Sequence, residues 1–242
     1  MKLVWSYSKD WKKGSNISIY PHEYIQYLYK RSIKSASDDY HKIIYTDEEN
    51  VDIFKDIVDE VIVREPKPFI FLADLKFEIA DILNGEFLIT DGDLFFKKKL
   101  IIPPGSNIGF ELEIKKVRPK VLGWKNILIE HGIVNKVPIW NIDNSASINL
   151  GLMYFNNDNL KSKLINEYKK TQKFFIDRIE PIYKFNENDV QFSACGSQML
   201  VKQFLLNENI TPYLFMEGKT NDFVHYSSSS KIKYLQLFNE TI

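Results

Sequence analysis

Apolar positions along this chain alternate between short compact runs and longer stretches at helical spacing. Leu3 to Tyr7 is the first compact run and predicts a strand, with a Ser-Lys-Asp-Trp-Lys-Lys-Gly loop after it. Pro21 to Ser35 carries Tyr24, Tyr27, Leu28 and Ile33 near a 3.6-residue period, which predicts a helix. His41 to Tyr45 (HKIIY) reads as a strand, Val51 to Val58 as a helix and Glu60 to Val63 as a strand. Beyond Pro66 and Pro68 the pattern predicts a helix over Ile70 to Leu83, stopped by Asn84-Gly85, then a buried strand at Glu86 to Thr90 (EFLIT). Strand–helix alternation of this kind predicts an α/β fold with a mostly parallel sheet flanked by helices.

The rest of the chain is less regular. Leu100 to Trp140 is broken by Pro103-Pro104-Gly105 and Arg118-Pro119 and predicts strands and loops. Ile148 to Phe155 is a further apolar run, Leu160 to Ile179 a long charged helix, Ser197 to Leu206 another helix and Tyr213 to Met216 a short strand. The last segment holds His225-Tyr226, four serines and Lys231. No internal repeat is present. The whole, 1–242, reads as one compact domain with an irregular second half.

Composition narrows the classes. Lys plus Arg and Asp plus Glu are 32 each, so no global field draws the chain to nucleic acid or an anionic membrane. The local runs Lys97-Lys98-Lys99 and Lys115-Lys116 keep a basic patch open. A single cysteine, Cys195, excludes an intramolecular disulfide and a cysteine metal cage, and fits a reducing compartment. The N-terminus lacks the apolar core of a signal peptide, and no apolar run approaches the ~18 residues that span a bilayer. The expectation is a cytoplasmic protein, soluble or peripheral to the membrane.

The most informative tripeptide is Asp91-Gly92-Asp93, directly after EFLIT and before the apolar Leu94-Phe95-Phe96. In open α/β sheets ligands bind beyond the carboxyl ends of strands. Alternate residues of an extended segment point to opposite sides, so the two carboxylates reach one ion only if the chain bends, and Gly92 is expected to permit that bend. Hard oxygen ligands suit Mg²⁺ or Mn²⁺, which bridge a diphosphate and neutralise charge on a leaving group. Asp-Gly is also a common surface-turn dipeptide; the apolar residues on both sides favour a cleft.

The run Leu72-Ala73-Asp74-Leu75-Lys76-Phe77-Glu78-Ile79, then EFLIT, DGD and LFF, resembles the helix–strand–DxD block of GT-A glycosyltransferases, closest to the retaining family-8-like and capsular-polysaccharide enzymes. Three later segments follow the family's order. Asn149-Leu150-Gly151 is similar to its Asn-Ala-Gly strand, where the asparagine contacts the donor sugar. Ser197-Gln198, read as a helix start, is similar to its Asp-Gln pair beside the sugar. The segment His225-Tyr226-Ser-Ser-Ser-Ser-Lys231 resembles its His-Phe-x-Gly-x-x-Lys-Pro tail. The departures are Asp74 where the family carries arginine, Ser197 for its acid, and the missing glycine and proline of the tail.

The resemblance implies a GT-A-like fold, with 1–100 as the nucleotide-sugar half and 101–242 as the acceptor side and metal- and diphosphate-binding tail. It implies transfer of a sugar from a nucleoside diphosphate sugar, UDP first, to a hydroxyl acceptor, with Mn²⁺ or Mg²⁺ held by Asp91, Asp93 and His225. Gln198 would support the reacting sugar, with retention favoured; Lys231 and Lys76 would face the diphosphate, beside Gly92, Asn149 and Gly151. Trp5, Ser6 and Tyr7 would meet the nucleoside, and Thr46 and Asp47 the base or ribose. An inverting course would need a carboxylate base, for which Asp143, Asp177 and Asp222 are candidates. His22, His41 and His131 are scattered and receive no role. The rivals are a sugar nucleotidyltransferase, which would ordinarily show an early glycine-rich basic loop, and a degenerate nucleotide-binding or interaction module. The acceptors that remain open are a glycan, a protein and a modified nucleobase.

Overall fold

The structure, a computed structural model, describes residues 1–9, 21–65, 67, 73–113, 147–174, 176–177, 190–215 and 222–225. In chain order these form β1 (Lys2–Tyr7), α1 (His22–Ser35), β2 (His41–Thr46), a 3₁₀ turn (Glu48–Asn50), α2 (Val51–Phe54), β3 (Glu60–Val63), α3 (Asp74–Ile82), β4 (Phe87–Thr90), β5 (Leu94–Phe96), β6 (Ile108–Glu113), β7 (Ser147–Phe155), α4 (Asp158–Phe174), α5 (Val190–Asn207), β8 (Tyr213–Phe215) and β9 (Phe223–His225). The main sheet runs β3-β2-β1-β4-β7-β6-β8, and β5 and β9 form a separate ladder. β3, β2, β1 and β4 are mutually parallel, β7 is antiparallel to both β4 and β6, and β8 is parallel to β6. The expected mostly parallel α/β sheet is present.

Both faces of this sheet are buried, which is why its strands read as nearly continuous apolar runs. On one face Val4, Ile43, Phe87, Ile89, Phe110, Met153 and Phe155 pack against α3, α4 and α5. On the other, Leu3, Trp5, Tyr7, Ile44, Leu88 and Leu152 pack against α1, Phe54 and the β5–β9 ladder. The alternation of Leu3, Val4 and Trp5 between these two cores is the two-residue period of a strand. A stacked pair, Phe77 on Tyr168 at 3.7 Å and 12°, joins α3 to α4; such pairs contribute roughly 0.5–1.5 kcal/mol beyond their burial.

Several elements differ from expectation. Only Phe54 of the Val51 to Val58 stretch is buried, so packing sustains one turn of α2 rather than two. α4 is described over Asp158–Phe174, and the expected end at Ile179 lies outside the described residues; it begins after Asn157, whose Oδ1 accepts the Leu160 amide at 3.0 Å. α5 begins at Val190, so Ser197-Gln198 lies two turns inside the helix and not at its start. The Ile70 to Leu72 helix start and residues 114–140 lie outside the described residues.

Four buried tyrosines make an alkaline limit to stability. Burial raises the Tyr29 and Tyr168 phenols well above 10, helped by Asp91 and by Asp74 respectively. Burial with Glu78 raises Tyr45, and burial with Glu86 raises Tyr154 to about 12. An unfolded tyrosine releases its proton near 10, so the stability these groups contribute is complete below that pH and is lost as pH climbs toward the folded values. Urea midpoints between about pH 9 and pH 11 are expected to fall with rising pH; a flat profile would contradict the assignment of these phenols to the core.

Candidate metal centre

Chain order fixes where a ligand can enter. From β1 the chain passes outward to β2 and β3, then returns to lay β4 on the other side of β1. That reversal opens a crevice at the carboxyl ends of β1 and β4. Asp91 follows the last residue of β4, Thr90, which pairs in register with Trp5. The Asp91 amide donates to the Gly151 carbonyl at 2.9 Å, and the Leu94 amide closes a turn on the Asp91 carbonyl at 3.3 Å.

The expected bend at Asp91-Gly92-Asp93 is present, but Gly92 serves it differently. The positive-φ glycines among the described residues are Gly85 and Gly105, so Gly92 does not supply left-handed backbone. It supplies space: a Cβ there would lie 2.2 Å from Cδ2 of Tyr29, whose hydroxyl donates to the Ser6 carbonyl at 2.8 Å.

His225 does not lie in a tail beyond the last strand. It is the final residue of β9, in register with Leu94, and the β5–β9 ladder carries it back beside the aspartate turn. Ligand atoms of Asp91, Asp93 and His225 all lie within 4.8 Å of one another. The His225 side chain is 7% exposed, with Nε2 3.4 Å from Asp93 Oδ1. On the opposite edge of the ring, Nδ1 is 2.8 Å and 2.9 Å from the two oxygens of Glu111. Burial pushes the imidazole pKa down, but the Asp93 and Glu111 carboxylates outweigh it and hold it well above 6.5 in the metal-free protein.

Glu111 is not legible in the sequence. In Ile108-Gly-Phe-Glu-Leu-Glu the apolar residues alternate with Gly109, Glu111 and Glu113, the pattern of a strand with one solvated face. The structure instead buries Glu111.

Lys76, expected beside a diphosphate, extends from α3 to Asp91. Its ammonium lies 2.5 Å from Asp91 Oδ1 and also donates to the Leu150 carbonyl. Asn149 Oδ1 accepts the Gly151 amide at 2.8 Å, within the irregular part of β7 that presents the Leu150 and Gly151 carbonyls. Gly151 is required by close approach: a Cβ there would lie 2.4 Å from Glu111 Oε2 and 2.6 Å from His225 Cε1.

The other expected site residues divide. Trp5 is fully buried, donates its indole N–H to Ser32 Oγ at 2.8 Å and meets the edge of Phe96, so it offers no face to a base. Tyr7 is likewise packed edge-on against Tyr29 and Phe54. Asp47 pairs with Arg64 at 3.1 Å, and Arg64 also holds Glu78 at 2.8 Å. Ser8 Oγ and Thr46 Oγ1, at the ends of β1 and β2, and Asn50 Nδ2, in the 3₁₀ turn, are buried without a hydrogen-bond partner among the described residues. Asp74, the departure from arginine, is buried and accepts from Tyr168 at 2.5 Å and from Gln172 at 2.7 Å, tying α3 to α4. Ser197 is hydrogen-bonded to the same Tyr168, so both departures are explained by interhelical packing. Gln198 is half-buried on α5.

Of the carboxylates considered as a base, Asp177 is paired with Lys173 at 2.9 Å and Asp222 with Lys98 at 2.6 Å. Lys99 pairs with Asp39 at 3.3 Å, so the triple-lysine run is partly neutralised. Lys231, Asp143 and Lys115-Lys116 lie outside the described residues.

Two carboxylates and an imidazole are donors that fit Mn²⁺, and Mg²⁺ through its preference for oxygen. Among the described residues no helix is long and apolar enough to cross a membrane.

The fold itself is a known one. Over 97% of this chain and 98% of the other, the structure is similar to a nucleoside-diphosphate-sugar pyrophosphorylase from Vibrio cholerae RC9, with TM-score 0.51 and 12% identity. The galactosyltransferase LgtC, solved with donor and acceptor sugar analogs, matches over 99% and 96% with TM-score 0.50 and 11% identity. CTP:phosphocholine cytidylyltransferase from Streptococcus pneumoniae matches over 98% of each chain with TM-score 0.50 and 10% identity. The architecture is thus the mixed α/β, GT-A-like arrangement of these proteins, and identities this low establish the fold alone. No protein-family model matches the sequence, and no curated protein matches it.

Proposed function

We propose that this chain is a metal-dependent glycosyltransferase that moves a sugar from a nucleoside diphosphate sugar, UDP first among them, to a hydroxyl acceptor. The observation that carries this reading is the convergence of Asp91, Asp93 and His225 at the carboxyl end of β4, beside the switch point of the sheet. A divalent ion held there would stabilise the negative charge that develops on a departing diphosphate. Asp91 and Asp93 supply oxygen donors and His225 a nitrogen, while Lys76 holds Asp91 in place through its ammonium. The side-chain polar atoms of Ser8, Thr46 and Asn50, buried and without a hydrogen-bond partner among the described residues, are groups that a nucleoside would satisfy. Asn149, Gly151 and Gln198 are assigned to the donor sugar, with retention of configuration, and Lys231 to the diphosphate, all on the sequence resemblance.

The test is a thermal-shift screen of nucleotides and nucleotide sugars with and without Mn²⁺, coupled to product analysis. A ligand present at 100 times its Kd stabilises by about 2.7 kcal/mol, which is about 5–10 °C for a chain of this size. UDP-sugars are expected to give such a shift only with Mn²⁺ and to release UDP. Pyrophosphate formed from a nucleoside triphosphate and a sugar phosphate would instead establish a nucleotidyltransferase. A shift without turnover would point to a binding module.

A further inference from the structure

Glu111 has no part in the glycosyltransferase resemblance, yet the fold buries its carboxylate. The side chain is 4% exposed and sits on β6, in the second half of the main sheet. Removing a carboxylate from water is costly unless the charge is paired and hydrogen-bonded. Here the carboxylate spans His225 Nδ1 with both oxygens, at 2.8 Å and 2.9 Å. The strand pairing is irregular at this contact. The β6–β7 register slips between Phe110 and Glu111, so that Phe110 faces Met153 while Glu111 faces Asn149. The three β7 residues passed over include Leu150 and Gly151, whose carbonyls are given to Lys76 and to the Asp91 amide. Gly151 leaves the volume in which the Glu111 carboxylate and the His225 ring meet.

We propose that Glu111 is the positioning residue of the metal centre: it accepts the Nδ1 proton of His225 and so turns Nε2, the remaining ring nitrogen, toward Asp93 and the ion. This rests on the proposed metal-binding role of Asp91, Asp93 and His225. A histidine that binds a metal through one nitrogen is generally oriented by a carboxylate or carbonyl at the other, and loss of that partner weakens metal binding by about 10–100-fold. Among the described residues the ladder of β9 with β5 spans three residue pairs, which sets the height of His225 but not the rotation of its ring. Glu111, on a different sheet, supplies the second point of attachment. It acts on the ion only through His225 and is not a catalytic residue.

The experiment measures Mn²⁺ affinity by titration and imidazole coordination by the ¹⁴N coupling in pulsed EPR of the Mn²⁺-loaded protein. Wild type, Glu111→Gln, Glu111→Ala and His225→Ala are compared, with circular dichroism confirming the fold. Wild type is expected to show a ¹⁴N coupling that His225→Ala lacks. Glu111→Gln, close in shape, is expected to bind Mn²⁺ about 10-fold more weakly, and Glu111→Ala toward 100-fold more weakly with the ¹⁴N coupling lost or altered. Were Glu111 only a packing residue, its variants would lower the melting temperature and leave affinity and coupling unchanged; that result overturns the inference while the metal site stands. Should Glu111→Ala not fold, unchanged Mn²⁺ affinity in Glu111→Gln overturns it alone. Absence of Mn²⁺ binding, or of any ¹⁴N coupling, in wild type removes the metal centre itself and this inference with it.

Discussion

Asp93→Ala is expected to abolish Mn²⁺-dependent release of UDP from UDP-sugars, by about 1,000-fold or more, while the protein still folds. A bound metal supplies several kcal/mol of charge stabilisation in the transition state, and each 1.36 kcal/mol is about tenfold in rate. Asp93 is nearly buried and its carboxylate faces Nε2 of His225, so alanine removes one donor and one of the two acids facing that ring. The fold survives because Glu111 still pairs with the other edge of the imidazole. Initial rates of UDP release across a Mn²⁺ titration, with thermal melts as the folding control, decide the matter. Undiminished hydrolysis in the variant would end the metal assignment.

Gly92→Ala is the second change with a large expected effect, and it acts on stability and on the site together. The new Cβ would stand 2.2, 2.3 and 2.5 Å from three carbons of the Tyr29 ring, distances that real contacts do not reach. The ring has nowhere to go: it lies edge-on to Tyr7 at 5.0 Å, and its hydroxyl is tied to the Ser6 carbonyl. Overpacking of this kind costs about 1–3 kcal/mol, or a melting temperature lower by about 2–12 °C in a chain of this length. The turn must shift to relieve the clash, which displaces Asp91 and Asp93 together and weakens Mn²⁺ binding. Thermal melts and Mn²⁺ titration of the purified variant measure both effects; wild-type values in each would show that Tyr29 does not occupy this position.

Much of the site's location is legible in the amino-acid pattern alone. A compact apolar strand ending in Asp-Gly-Asp, preceded by a helix with Lys76, is local information, and β4, α3 and the turn follow from it nearly residue by residue. The role of Gly92 is legible only in part, because neighbouring residues reveal the freedom of a glycine and not what crowds it. The ring of Tyr29 that needs the space comes from a helix more than sixty positions earlier. Trp5 and Tyr7 mislead for a related reason: an aromatic at a strand end reads the same whether it faces a ligand or the core. Asp74 and Ser197 look like gaps in a binding motif, yet both bond to Tyr168, which stands between α3 and α5.

By itself the sequence determined the order of strands and helices from β1 to β4, the covering of the parallel sheet by helices, and the presence of two carboxylates at the end of β4. Each of these follows from spacing within a dozen residues, where hydrophobic periodicity and turn chemistry act directly. Tertiary structure alone decided that β7 runs antiparallel, that Lys76 holds Asp91, and that Glu111 meets His225 across 114 positions of the chain. Those contacts depend on how the sheet is ordered and where its register slips, and no local pattern encodes the partner of a buried charge.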